Sequence, residues 1–94
     1  MSASTFQLCL QVFQDGSCVL DRSVEVPAGQ EVPLKAANFQ ARLTVHGASK
    51  GVIQYTAALE SGYRYVTPDM EIPNGKTSVL EFYGTSLHIT ATQV

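Results

Sequence analysis

The sequence predicts a single, soluble, all-β domain spanning residues 1–94, built as an antiparallel Greek-key β-sandwich of seven or eight strands. Three observations indicate this fold class. Apolar residues repeatedly occupy every second position, which is typical of strands with one buried face. Glycine and proline separate these segments, as expected for turns. With 45% hydrophobic and 15% charged residues, the chain should form a packed core and is not expected to be disordered.

The first alternating segment runs from Phe6 to Val12 and leads into a hairpin. Its loop is predicted to contain residues 14–16, with Gly16 in the left-handed conformation that favours glycine. This register places Val12 opposite Cys18 and gathers the apolar side chains of both strands on one face. A two-residue Asp-Gly turn would split that set between core and solvent, so the longer loop is favoured.

The alternation returns in four later segments, which predict the remaining core strands. They are Val24 to Val26, Phe39 to Val45, Ile53 to Leu59, and Leu87 to Ala91.

The two cysteines are predicted to be free thiols. In the register above, Cys18 lies on the core face and Cys9 on the opposite face, where the short Cβ separation of a disulfide is out of reach. Both are interpreted as small apolar residues rather than as reactive or metal-binding thiols. Free thiols favour an intracellular location, and a mature secreted form stays open.

Shifting the sequence by 46 residues aligns its two halves. Residues 24–29, Val-Glu-Val-Pro-Ala-Gly, then match residues 70–75, Met-Glu-Ile-Pro-Asn-Gly. Two unrelated turns that each required proline and glycine would account for part of this match. We favour an internal duplication with repeats at 5–46 and 51–92. The apolar alternation of the second repeat is one residue out of step, so its hairpin is expected to be one residue shorter.

Two units of this size, each giving four strands, resemble the βγ-crystallin family, whose domains are paired Greek-key motifs. Tyr55 precedes Gly62 by seven residues, as an aromatic residue precedes a hairpin glycine in that family. Residues 71–74 and 85–89 look like its later turn and its fourth strand. In the first repeat Cys9 takes the place of the aromatic residue, which departs from the family pattern.

An immunoglobulin-like sandwich is the rival interpretation. Leu59, Gly62 and Tyr65 have the spacing of the tyrosine corner, in which the tyrosine hydroxyl bonds to the backbone a few residues upstream. The chain has no tryptophan and therefore lacks the cysteine and tryptophan signature of that family. Both interpretations predict an antiparallel sandwich.

The crystallin resemblance also implies calcium positions that can be compared with this chain. In the second repeat they are Glu81, Thr85 and Ser86, with Phe82 replacing a second acidic or amide residue. In the first repeat they are Ala37, Asn38, Ala41 and Arg42. Calcium requires about six to eight oxygen ligands, carboxylates among them. We therefore predict neither a bound metal nor a cofactor.

The sequence carries no recognisable catalytic motif: it lacks Gly-x-Ser-x-Gly, a phosphate-binding glycine loop and His-Glu-x-x-His. His46 and His88 are expected to face outward on different strands. The formal net charge of −2, without a run of like charges, predicts no nucleic-acid partner. The first residues lack a basic segment, and the apolar stretch after them is interrupted by glutamines, so neither a signal peptide nor membrane insertion is predicted.

The leading functional hypothesis is a non-enzymatic binding or structural domain that acts through protein–protein contacts, with another protein or a second copy as partner. Cys9, Phe13 and Val19 are expected on the outer face of the first hairpin, where they are either covered by the chain or displayed to a partner. Tyr63 and Tyr83 are expected to form an aromatic platform. The alternatives are a small secreted effector, toxin or protein inhibitor, and a carbohydrate- or calcium-binding module.

Overall fold

Two antiparallel sheets face each other in the computed structural model, which describes residues 4–36 and 38–94. Every regular element in these residues is a strand: β1 (Thr5–Gln14), β2 (Ser17–Pro27), β3 (Glu31–Ala36), β4 (Phe39–Ser49), β5 (Val52–Glu60), β6 (Arg64–Val66), β7 (Met70–Pro73), β8 (Thr77–Phe82) and β9 (Thr85–Gln93). Sheet A has the order β2-β1-β9-β8, and sheet B has the order β3-β4-β5-β6, with β7 also paired to β5. The predicted all-β antiparallel sandwich is confirmed.

The central strands bury every second side chain between the sheets. In β1 the buried residues are Phe6, Leu8, Leu10 and Val12, and in β5 they are Ile53, Tyr55, Ala57 and Leu59. The sequence alternation predicted both sets. Burying one large aliphatic or aromatic side chain contributes about 1.5–3 kcal/mol relative to leaving it exposed, so these inward residues provide most of the stabilisation.

The strands β6 and β7 occupy one edge of sheet B, one after the other, because both pair with β5. Between these two strands, Thr67 bonds to β5 through both its backbone and its side chain. Its backbone N–H donates to the Ala57 carbonyl at 2.8 Å, and its Oγ1 accepts from the Ala57 N–H at 2.9 Å. Nine strands therefore fill eight positions, in agreement with the predicted seven or eight.

The first hairpin differs from the predicted register. Its loop contains two residues, Asp15 and Gly16, with φ angles of 52° and 81°, so Phe13 pairs with Cys18. A β-bulge at Val19 then adds one residue to β2 and brings Leu20 opposite Val12. The bulge keeps the apolar side chains of both strands on one face, a result that the prediction attributed to a longer loop.

The position of Cys18 on the core face was wrong for the same reason. Cys18 pairs with Phe13, which points away from the core, and it is exposed, while Leu20 takes the inward place opposite Val12. Cys9 is exposed as well, and both cysteines are free.

The two halves of the chain share the same strand arrangement. Exchanging β1, β2, β3 and β4 with β5, β6–β7, β8 and β9 converts the order of sheet A into that of sheet B. Leu8 pairs with Ala91, and at the equivalent place in the other sheet Tyr55 pairs with Val45. Equivalent residues of β1 and β5 therefore differ by 47 in residue number, whereas those of β4 and β9 differ by 46. This matches the predicted one-residue offset between the repeats.

The turns after β2 and β7 repeat the same hydrogen bonds. Gly29 N donates to Val45 O at 2.8 Å, and Gly75 N donates to Ala91 O at 2.7 Å. These correspondences support the internal duplication, which stays a prediction. The Greek-key order also stays a prediction, because strands that neighbour in a sheet are consecutive in the chain, apart from the pairs of β1 with β9 and of β5 with β7.

A comparison of Leu10→Ala with Gln11→Ala tests the register of β1. Leu10 is fully buried, so its truncation leaves a cavity and is expected to lower the free energy of unfolding by about 2–5 kcal/mol. Gln11 points to the outer face, and its truncation is expected to cost about 0.5 kcal/mol or less. Urea unfolding monitored by circular dichroism measures both changes. Equal losses would contradict the register.

Candidate functional site

Four aromatic side chains meet at one end of the sandwich, and we call them the aromatic cluster: Tyr63, Tyr65, Phe82 and Tyr83. The rings of Tyr63 and Tyr83 are stacked, with centroids 5.0 Å apart and an interplanar angle of 26°. Phe82 packs edge-on against Tyr83 at 4.8 Å, and Tyr65 stacks on Phe82 at 6.2 Å. The cluster is therefore one continuous row of rings in geometries that aromatic pairs prefer.

The aromatic cluster is anchored by Phe82 within the row and is exposed at both ends, at Tyr63 and Tyr65. Phe82 is only 8% exposed, whereas Tyr63 is 67% and Tyr83 is 69% exposed. Tyrosine combines a large apolar surface with a polar hydroxyl and only two side-chain torsions, which is why contact surfaces are enriched in it. The row thus presents rigid apolar area to solvent from a buried base.

Tyr83 occupies a position where the backbone disfavours a bulky residue. Together with Gly84 it forms the two-residue turn between β8 and β9, and its φ angle is 48°. Such turns favour asparagine, aspartate or glycine, because a left-handed residue with a Cβ costs about 1–2 kcal/mol. A strained aromatic residue at an exposed turn motivates a functional hypothesis.

Tyr63 is positioned by a tight turn between β5 and β6. Ser61 N donates to Tyr63 O at 3.0 Å, and Gly62 between them has a φ of 76°. Across this turn, Arg64 approaches Glu60 at 3.6 Å. The backbone geometry therefore brings Tyr63 to the tip of the segment that faces Tyr83.

A shallow depression on the outer face of sheet B is continuous with β6 and adjoins the aromatic cluster. Its lining combines four polar or charged residues with four apolar ones and comprises Gln40, Ala41, Arg42, Ala58, Leu59, Glu60, Arg64 and Val66. Its charged side chains are exposed, so a partner that covers the cluster could form hydrogen bonds with them.

The predicted first-hairpin residues lie on a different surface, the outer face of sheet A. Phe13 is half-buried, because its ring packs against His88 with centroids 4.7 Å apart. Cys9 is exposed and accepts a hydrogen bond from Ser23 Oγ at 3.6 Å. Val19 is exposed at the bulge. Gln11 separates Cys9 from Phe13 on this face.

Of the predicted binding residues, the structure brings only Tyr63 and Tyr83 into contact with each other. Their role in binding stays a prediction. In the rival immunoglobulin-like interpretation, Tyr65 has the spacing of a tyrosine corner; in the structure its ring stacks on that of Phe82. The contact of Tyr65 with Phe82 could have been predicted only from the arrangement of the strands. It joins β6 and β8, which are edges of two different sheets and adjoin across the sandwich.

The crystallin-like calcium positions hold a single carboxylate in the second repeat. Glu81 is exposed, while Thr85 and Phe82 are buried; in the first repeat, Ala37 lies outside the described residues. Across residues 4–36 and 38–94, no group of three or more His, Cys, Asp or Glu side chains could hold a metal ion. His46 lies within 2.9 Å of Thr56 Oγ1.

Comparison of the chain with models of protein families, with curated proteins and with solved structures found no match. In the described part of the chain, no helix is long and apolar enough to cross a membrane. The crystallin and immunoglobulin-like resemblances stay predictions. The function is therefore argued from the geometry of the aromatic cluster.

Replacing Tyr83 and Lys50 by asparagine separates backbone strain from ring contacts. Lys50 has a φ of 55° at the same position of the turn between β4 and β5, so Lys50→Asn should raise the free energy of unfolding by about 1 kcal/mol. Tyr83→Asn relieves similar strain but loses ring contacts worth about 0.5–1.5 kcal/mol per pair. Because Tyr83 forms two such pairs, with Tyr63 and Phe82, the stabilisation by Tyr83→Asn should be smaller by about 1–3 kcal/mol in urea unfolding. Equal gains would show that the stacking contributes nothing.

Proposed function

We propose that this chain is a non-enzymatic binding domain that contacts another protein through the aromatic cluster. The observation that carries this proposal is the exposed stack of Tyr63 on Tyr83, attached to the buried ring of Phe82. A row of rings so open to solvent contributes little to the core. Its exposed area becomes useful when a second molecule covers it.

The rigidity of the aromatic cluster supports a binding role. The two-residue turn at Tyr83, the three-residue turn at Tyr63 and the anchored base limit the movement of the rings, so the cluster loses less conformational freedom when a partner binds. Tyrosine and arginine are enriched among residues whose removal weakens protein contacts most. Arg64 follows Tyr63 directly in the chain.

The surroundings of the aromatic cluster resemble the anatomy of a protein contact. A contact of standard size buries about 800 Å² on each partner and combines an apolar centre with a polar rim. The three exposed tyrosines would form the centre. Gln40, Arg42, Glu60 and Arg64 in the adjoining depression would form part of the rim.

A carbohydrate is the second candidate ligand, because stacked tyrosine rings beside polar side chains also suit the apolar face of a sugar. Binding of any ligand to the native state raises its stability, by about 2.7 kcal/mol when the ligand is present at a hundred times its dissociation constant. A rise in melting temperature with a sugar, lost in Tyr63→Ala, would favour this candidate over a protein partner.

Site-specific photo-crosslinking tests the proposed contact. A photoreactive aromatic residue replaces Tyr63 in one variant and Val19, which is exposed on the other sheet, in a matched control. In cells that produce the protein, a discrete crosslinked partner is expected from position 63 and not from position 19. For that purified partner, Tyr63→Ala should weaken binding by about 2 kcal/mol, roughly 30-fold.

The proposal fails if crosslinking is equal at positions 63 and 19, or if Tyr63→Ala leaves the affinity for the identified partner within about twofold of the original value, well short of the loss expected for a central contact residue. Circular dichroism of each variant verifies that the fold is retained.

A further inference from the structure

The four sheet edges of the described structure differ in how well they are protected. Edge strands carry unpaired backbone groups that can pair with another chain, and proteins block them with bulges, prolines, charges or interruptions. Strands β2 and β8 are the edges of sheet A, while β3 and the β6–β7 pair are the edges of sheet B. Three of these edges carry several blocking features, and β8 carries the fewest.

The edges at β2 and β3 are blocked together. The bulge at Val19 interrupts β2, and Arg22 Nη1 donates to Pro33 O of β3 at 3.1 Å. Pro33 has no N–H to offer, and its flanking residues Glu31 and Lys35 are charged. The third edge is short, because Thr67, Pro68 and Asp69 interrupt it between β6 and β7.

Strand β8 has only one of these features, the charge of Glu81. Its six residues, Thr-Ser-Val-Leu-Glu-Phe, contain no proline and no cation, and its pairing with β9 is regular throughout. Val79 is 47% exposed, and Leu80 is only partly buried. The strand is therefore an open edge with equal numbers of apolar and polar residues and a single charge, at Glu81.

The backbone groups that face this open edge follow from the pairing with β9. Ala91 N donates to Lys76 O, and in an antiparallel pair, hydrogen-bonded and non-hydrogen-bonded residues alternate. Even-numbered residues of β8 therefore direct their backbone groups towards β9. Thr77, Val79 and Glu81 direct their N–H and C=O groups away from the sheet, where each has no strand to pair with.

We propose that a second copy of this chain pairs antiparallel with β8 across a twofold axis at Val79, which makes sheet A continuous through a dimer. Val79 then pairs with Val79 of the second copy, and Thr77 pairs with Glu81 of the second copy in both directions. All three outward N–H groups and all three outward carbonyls are satisfied on each side. This goes beyond the proposed function, because it uses backbone groups of β8 and not the exposed tyrosines.

Self-pairing suits β8 because its side chains are complementary to themselves. In this register Glu81 faces a threonine and avoids the like charge that another register would bring opposite it. The numbers of two residues that pair across the axis always add up to 158. Lys76 of the second copy therefore lies beside Phe82. A cation near aromatic rings is favourable, and Lys76 forms neither of the two ion pairs seen in the described residues. The contact is isologous, as closed dimers require.

Sedimentation equilibrium of the whole chain tests this dimer with a matched pair of substitutions. The original chain is expected to have the mass of two copies. Val79→Lys places two like charges at the axis and should weaken self-association at least about tenfold. Val19→Lys alters a valine of similar exposure, 43%, on the blocked edge, and should leave the dimer intact.

Amide hydrogen exchange of the original chain gives a second measurement that needs no variant. The amides of Thr77, Val79 and Glu81 should exchange at least about tenfold more slowly as the chain concentration rises to about 1 mM. The amides of Ser78 and Leu80 donate to β9 in the single copy, so they should be protected from exchange already at low concentration.

A monomeric mass together with concentration-independent exchange at Thr77, Val79 and Glu81 would overturn the proposal, as would a Val79→Lys dimer of unchanged strength. If Val79→Lys fails to fold, the exchange measurement decides. Tyr63→Ala separates the two proposals: loss of self-association in this variant would place the contact on the aromatic cluster and reject the β8 dimer, without affecting the crosslinking test.

Discussion

The structure depends on one constraint: every second side chain of the central strands must point between the two sheets. A shift of one residue would turn a whole strand's apolar residues to solvent. Local irregularities of the ladder help to maintain the register. In the first half, the bulge at Val19 absorbs one extra residue of β2. In the second half, Thr67 continues the ladder with its hydroxyl where the edge strand is interrupted.

The sequence predicted the sandwich and its inward residues, because a period of two is a direct consequence of strand geometry. It failed at the first hairpin, where two local signals disagreed. Asp15-Gly16 favoured a two-residue turn, whereas the apolar pattern required a longer loop. The bulge satisfies both signals. The identity of Val19 does not indicate that it is the unpaired residue of a bulge, since exposed valines are also common in regular strands.

The aromatic cluster was only partly predictable. Tyr63 and Tyr83 could be grouped as exposed aromatic residues beside turns, but Tyr65 could not be added. Its contact with Phe82 joins edge strands of different sheets, and periodicity within a strand does not tell which edges adjoin. The same limit applies to Phe13. Its partner His88 lies on β9, which joins β1 only after the chain has passed through the whole of sheet B.

The single hydrogen bond from Arg22 to Pro33 has a consequence for how large an assembly can become. This hydrogen bond connects the edge strands β2 and β3 on one side of the sandwich. On the opposite side the edge at β8 stays open. A chain with two open sheet edges can add further copies without limit. A chain with a single open edge forms a closed dimer, because no open edge is left for a third copy. In the proposed β8 dimer, the edge that Arg22 helps to cover would not be open to a third copy, which favours a closed dimer over a fibre.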